Sequence, residues 1–281
     1  MRSVERFAGQ VHIVSVSVLE KMAAIMRRDL RTTMRYRAAL LVGGCAMLVE
    51  IAAFYYLSRA IGPGFRPDGS DYFPFLVVGT GFYTFIVAGM TAFVSAIRDA
   101  QQTGTLEVLM TTSTRPAILI FLSAVSIFSI STLELLLYLG GGLILFPVPA
   151  AHPNLLASAI IFLLSLAVAI SIGILAGAMQ VATQRGGGAL ALVASATWFL
   201  TGALFPVSIL PAPIRALSYL IPITHCLQAM RLALLQGASL TRIWVEVAPL
   251  LAFVAILVPL SLLVFARALR QARWRGTLSY Y

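Results

Sequence analysis

Leu155–Met179 reads LLASAIIFLLSLAVAISIGILAGAM, twenty-five residues with no charge and no proline. A helix needs about 20 mostly apolar residues to cross the hydrocarbon core of a bilayer. This run has that length, and a helix made from it has no polar face to offer water. The rest of the chain is built in the same way. Apolar residues make up 60% of its 281 positions and charged residues only 11%, against about 25% charged in a typical soluble domain. So few charges do not cover a water-facing surface. The expectation is an all-α membrane protein, a single bundle with short soluble edges.

Five further apolar runs flank that stretch. The six candidate spans are Ala38–Leu57, Phe73–Ile97, Ala117 to about Leu145, Leu155–Met179, Leu190 to about Phe205, and Ile243–Ala266. The third is long and contains Gly140, Gly141 and Gly142, so a tilt or a break near its outer end is expected. Gly186, Gly187 and Gly188 read as a tight cytoplasmic turn before the fifth. The division that follows is a cytoplasmic N-terminal segment 1–37, a six-helix transmembrane domain 38–266 and a basic cytoplasmic tail 267–281.

Orientation comes from the basic residues, which cluster in cytoplasmic loops. With the N-terminus inside, 15 of the 20 lysines and arginines fall on the cytoplasmic side. The five left outside are Arg59, Arg66, Arg215, Arg231 and Arg242. Both termini are therefore expected in the cytoplasm of a multi-pass protein of the plasma or inner membrane. The first apolar run begins too late, and is too long, for a cleaved signal peptide. The net charge of +10 sits beside hydrophobic segments. It reads as topology signal and headgroup contact with membrane lipid, not as a nucleic-acid surface.

Two amphipathic features flank the spans. Val18, Met22, Met26, Leu30 and Met34 recur every four residues and make one apolar stripe on a helix. Lys21, Arg27, Arg28, Arg31 and Arg35 lie mostly off that stripe, as in a helix lying in the cytoplasmic interface. Between the fifth and sixth spans, Pro206, Pro211, Pro213 and Pro222 punctuate sequence that is still apolar. Leu227–Leu235 reads as a short helix there. A segment apolar but too broken to cross is expected to be re-entrant or interfacial on the outer side, packed against protein.

The chain carries little chemistry of its own. Its one lysine, Lys21, lies between Glu20 and Met22, so there is no P-loop. His12, His152 and His225 lack metal spacing with Cys45, Cys226 or the carboxylates, and no metal site or catalytic residue is assigned. Glu50 and Glu134 fall inside spans, where an acidic charge costs about 2.5–3.5 kcal/mol. Two readings stand for them: a lining of a substrate path or subunit contact, or protonated groups bonded to a neighbouring helix. Phe54, Tyr55, Tyr56, Phe82, Tyr83, Phe85 and Trp198 read first as packing, with sugar or drug contact as the second reading.

The most specific stretch is the inner loop from Arg98 to Pro116, RDAQQTGTLEVLMTTSTRP. A short helix starting near Thr105 puts Leu106, Leu109 and Met110 on one face, with Glu107 beside it. Such a helix is shaped to dock into a groove of a soluble partner. Pro116 then opens the third span.

With these features the chain resembles the type-2 ABC transporter permeases. The likeness rests on the amphipathic N-terminal segment, the Gly104-Thr105-Leu106-Glu107 loop with Leu109 and Pro116, and six spans with both termini inside. It rests also on Gly202–Pro206, Leu210-Pro211, Pro222 and Arg231. It implies a non-catalytic half-transporter that pairs with a second permease copy, the same or different, and with a separate ABC ATPase subunit. ATP and magnesium would sit on that ATPase and no cofactor on this chain. The resemblance makes Gly104, Thr105, Leu106, Glu107, Leu109 and Met110 the coupling helix, and Val14 to Met34 the connecting helix. It makes the segment holding Pro206, Pro211, Pro222 and Arg231 the outer re-entrant helices. It implies export of an amphiphilic, lipid-linked, glycan or drug-like substrate. Where many relatives place a proline soon after the coupling helix, this chain has Thr111–Thr114, which leaves the docking register open. The alternative is an ATP-independent secondary carrier or a membrane scaffold. A carrier predicts internal repeats and more intramembrane charge, and neither is visible.

Overall fold

The computed structural model describes residues 37–102, 116–146, 153–183 and 186–275, together with Arg27. The expected connecting helix, apart from Arg27, and the expected coupling helix lie outside the described residues. Those described are mostly helical, with no strand among them. In chain order the helices are α1 (Arg37–Ile61), α2 (Tyr72–Gln102), α3 (Pro116–Leu145), α4 (Leu155–Thr183) and α5 (Gly186–Leu200). Two short helices follow, α6 (Ala212–Tyr219) and α7 (Pro222–Leu235), then the long α8 (Leu240–Arg275). Among the described residues four stretches are long and apolar enough to cross a membrane: Leu40–Ile61, Tyr72–Asp99, Leu155–Ala182 and Leu240–Gln271. Shorter apolar stretches occupy Phe128–Gly142 of α3 and Leu190–Leu200 of α5.

Local chemistry sets the helix ends. Gly62, at φ +92°, stops α1 in the left-handed conformation that glycine adopts without strain, and its N–H donates back to the Ser58 carbonyl (3.1 Å). Asn154 caps α4: the Ala157 N–H donates to its Oδ1 (3.1 Å), which satisfies one orphan donor of the first turn. Pro116 and Pro222 open α3 and α7, where a missing N–H costs nothing. Pro249 and Pro259 lie inside α8, an arrangement tolerated in membrane helices where neighbours re-satisfy the freed carbonyls.

The structure moves several expected boundaries. The fifth helix runs from Gly186 to Leu200 rather than from Leu190 to about Phe205. The three glycines expected as a turn form its start, and Gly202, at φ +80°, turns the chain beyond its end. The third helix does not break at Gly140–Gly142 but stays helical to Leu145. Gly142 serves close packing instead: a Cβ on it would lie 2.8 Å from Val77 Cγ1. The last helix continues past Ala266 to Arg275 and takes in much of the expected tail.

Helix α2 is the hub. It packs against α1, α3, α4, α5 and α7. Of its apolar window 78% is buried, against 6% for α1. Phe82, Phe85, Phe128 and Phe162 form its aromatic centre, with Phe85 and Phe162 stacked at 5.1 Å. The α2–α4 crossing is close because Gly89 and Gly173 meet there: a Cβ on Gly173 would lie 3.0 Å from the Gly89 carbonyl oxygen.

Hydrogen bonds tie three turns into one end of the bundle, the distal end. Tyr72 Oη donates to the Leu204 carbonyl (3.1 Å). Gln236 Nε2 donates to the Asp68 carbonyl (2.6 Å). Asn154 Nδ2 donates to the Ala238 carbonyl (3.1 Å). The α1–α2 turn, the start of α4 and the stretch from α5 to α8 thus lie together. Gln102, Pro116, Thr183 and Gly186 fall at the opposite helix ends.

Candidate functional site

The proline-punctuated segment resolves into separate pieces. Pro206 precedes a 3-10 turn at Val207–Ile209, Pro211 precedes α6, and Pro222 begins α7. Each proline fixes φ where an element starts. The α6–α7 corner is held by Thr224, whose Oγ1 donates to the Ser218 carbonyl (2.7 Å). Arg215 on α6 donates through Nη2 to the carbonyls of Ser208 (2.7 Å) and Leu210 (2.9 Å). Helix α6 leaves Ile214 and Leu217 exposed, as is Leu220 just beyond its end. By contrast, α7 is buried along most of its length and packs against α2, α4 and α8.

Arg231 fastens α7 to the bundle. It is 4% exposed. Its Nη1 and Nη2 donate to the carbonyls of Gly202 and Ala203, each at 2.8 Å, and Nε to that of Phe75 at 3.3 Å. The guanidinium carbon lies 3.5 Å from the centre of the Phe75 ring. The carbonyls of Gly202 and Ala203 follow the C-terminus of α5, the negative end of its dipole. Burial lowers the Arg231 pKa to about 9, with Asp68 and Tyr72 acting in the other direction, so the group is charged at neutral pH. Gly79 makes room for it: a Cβ there would lie 1.8 Å from Nη2.

A second polar cluster joins α7 to α8. His225 Nδ1 lies 2.7 Å from Glu246 Oε2, and its Nε2 lies 3.0 Å from the Tyr219 carbonyl oxygen. Gln228, with its amide nitrogen toward the carboxylate, lies 3.2 Å from Oε2 and 3.1 Å from Oε1. Both ring nitrogens of His225 face acceptors, which suits an imidazolium that donates from each. Burial alone would lower the His225 pKa. The hydrogen bonds to Glu246 and the Tyr219 carbonyl, with the Glu246 charge, outweigh it and leave the pKa raised above 6.5. The sequence did not reveal this pair, because 21 residues separate its members and only the α7–α8 packing brings them together.

The two span carboxylates sit elsewhere. Glu50 on α1 is exposed but lies within interaction range of the Tyr138 hydroxyl on α3. Glu134, one helical turn before Tyr138, is exposed beside Leu133, Leu136 and Leu137. Of the aromatic residues singled out, Phe82, Tyr83 and Phe85 are core. Tyr83 Oη donates to the Ala194 carbonyl, and its ring meets Trp198 edge-on at 4.9 Å. Tyr56 stays 70% exposed.

Arg231 and His225 thus pin one short helix among long apolar ones. The family model described as ABC-2 type transporter matches residues 20–235. The chain belongs to the ABC-2 type transporter family. No curated protein sequence matches it. As an ABC-2 membrane domain it is the permease subunit of an ABC transporter and a multi-pass membrane protein. ABC-2 permeases are transport subunits that normally work with an ATPase subunit. The matched stretch takes in Gly104–Met110 and Arg231 and ends before Glu246.

Proposed function

We propose that this permease is one half of an exporter, driven by a separate ABC ATPase docked on its cytoplasmic face. The observation that carries the proposal is the ABC-2 match over residues 20–235, which includes the Gly104–Met110 loop. In this reading α1, α2, α3, α4, α5 and α8 cross the membrane. Helices α6 and α7 form the outer re-entrant pair, and both termini are cytoplasmic in the plasma or inner membrane. Support comes from the convergence of the three turns at the distal end, the side that holds only five of the 20 basic residues. At eight residues, α6 spans about 12 Å, short of the hydrocarbon thickness, and α7 begins at Pro222, directly after the corner that ends α6.

Gly104, Thr105, Leu106, Glu107, Leu109 and Met110 form the coupling helix, and a second permease copy completes the pathway. ATP and magnesium bind the ATPase. Its closure pushes on the coupling helices and re-weights inward- and outward-open states of the bundle. Glu50 and Glu134, exposed on the single subunit, line the path or the contact with the second copy. The substrate is an amphiphile, lipid-linked, glycan or drug-like.

Reconstitution tests this reading. Vesicles holding the permease and a candidate ABC ATPase subunit are expected to move an amphiphilic probe only with ATP. Equal transport by the permease alone would overturn it.

A further inference from the structure

A cleft of about 360 Å³ opens at the distal end between the last turn of α1 and the first turn of α2. Tyr55, Arg59, Phe65, Arg66, Tyr72 and Phe73 are among its lining residues. The five arginines expected outside ask for a reason, since positive charge is disfavoured there. Arg231 and Arg215 are engaged by backbone carbonyls. Arg59 and Arg66 instead converge on this cleft.

Their partners differ. Arg66 pairs with Asp71 (3.3 Å) at the exposed rim. Arg59 donates through Nε (3.2 Å) and Nη2 (2.8 Å) to the Tyr55 hydroxyl, a neutral acceptor. Among the described residues Arg59 has no carboxylate partner. Two cations facing one carboxylate leave the cleft positive, and a guanidinium fork matches phosphoryl oxygens.

The walls are aromatic. The Tyr55 ring meets Phe73 at 5.5 Å and Phe146 at 4.5 Å, and Phe65 meets Tyr72 at 4.9 Å. The α1 side of the cleft belongs to the helix whose apolar surface is the least covered. Arg59 stands in the last turn of that helix, near the end of an apolar stretch long enough to cross a membrane, Leu40–Ile61. A ligand fitting all of this has a phosphoryl group at one end and an apolar body at the other.

We propose that the α1–α2 cleft binds a phosphorylated amphiphile, its phosphoryl oxygens on Arg59 and its apolar body along Tyr55 and Phe73. The site needs neither nucleotide nor a direction of transport, so its failure and the failure of the exporter reading are separate results.

The test is a binding titration of the full-length chain in neutral glucoside micelles with dihexanoyl phosphatidate. Dihexanoylglycerol and inorganic phosphate are the comparison probes. Saturable binding of the phosphatidate is expected, with Arg59→Gln weakening it about tenfold or more. Arg59→Lys should recover part of that loss and serves if the glutamine variant does not fold. Arg242→Gln, an exposed arginine outside the cleft, should bind as the parent does. Dihexanoylglycerol should bind about tenfold more weakly, for want of the charged group. Unchanged binding by both Arg59 variants would overturn the proposal. So would an equal loss in Arg242→Gln, which would mean only diffuse charge, or inorganic phosphate binding as tightly as the lipid.

Discussion

Arg231 concentrates the physics of the distal cap in one side chain. A guanidinium leaves water there, and backbone carbonyls and an aromatic face replace its hydration. Removing it leaves those carbonyls buried and unpaired. Arg231→Met is therefore expected to lose about 3 kcal/mol, a drop of roughly 6–12 °C in the thermal midpoint of the purified permease. Gly79→Ala should act in the same direction, because its Cβ would overlap Nη2, and the two changes should be less than additive, since they act on one contact. A melt of the two single variants and the double variant checks both. His225 gives a pH signature. Its folded pKa is raised, so its contribution is fully present below about pH 6.5 and is lost as pH rises through the raised value. The thermal midpoint should fall over that interval in the parent and fall less in His225→Gln; identical pH profiles would refute the assignment. At this scale the sequence was partly legible. The family resemblance drew attention to Arg231, but no spacing rule links His225 to Glu246 or Arg231 to Gly79, because helix packing makes those contacts.

The elements were far more legible, since a membrane span is announced by its own composition. The run Leu155–Met179 became the body of α4, and Pro116 opens α3 as its position suggested. The misses have a common cause. Glycine reads as a breaker in water, yet Gly142 lets α3 approach Val77 and Gly186–Gly188 start α5. In a bundle of membrane helices small residues serve contact as often as interruption. Convergence of the turns at one end carries a topological prediction. In a Cys45→Ser background, Ser208→Cys should react with a membrane-impermeant maleimide added outside, while Gln102→Cys should react only once the cytoplasmic side is opened. Both positions are exposed. Labelling of both from the same side would refute the alternating path of the helices.

The whole molecule has an asymmetric design. Helix α2 is enclosed by its neighbours, whereas α1 presents almost all of its apolar surface outward. Such a subunit is built to meet lipid, a second copy, or both. It holds no P-loop in its sequence, and ABC-2 permeases normally work with an ATPase subunit. Two bundle states shift only as far as the partner binds them differently. A coupling helix supplies that difference if it is gripped firmly enough to be pushed. In the loop Gly104–Met110, which lies outside the described residues, the spacing of Leu106, Leu109 and Met110 suggests one apolar face on a short docking helix. The most direct measurement is co-purification of a candidate ABC ATPase subunit with this permease, the parent chain, Glu107→Arg and Leu109→Asp being compared at equal membrane content. The expected result is that each substitution lowers ATPase recovery about tenfold while insertion is unchanged. Full recovery with both variants would contradict a permease driven through that loop.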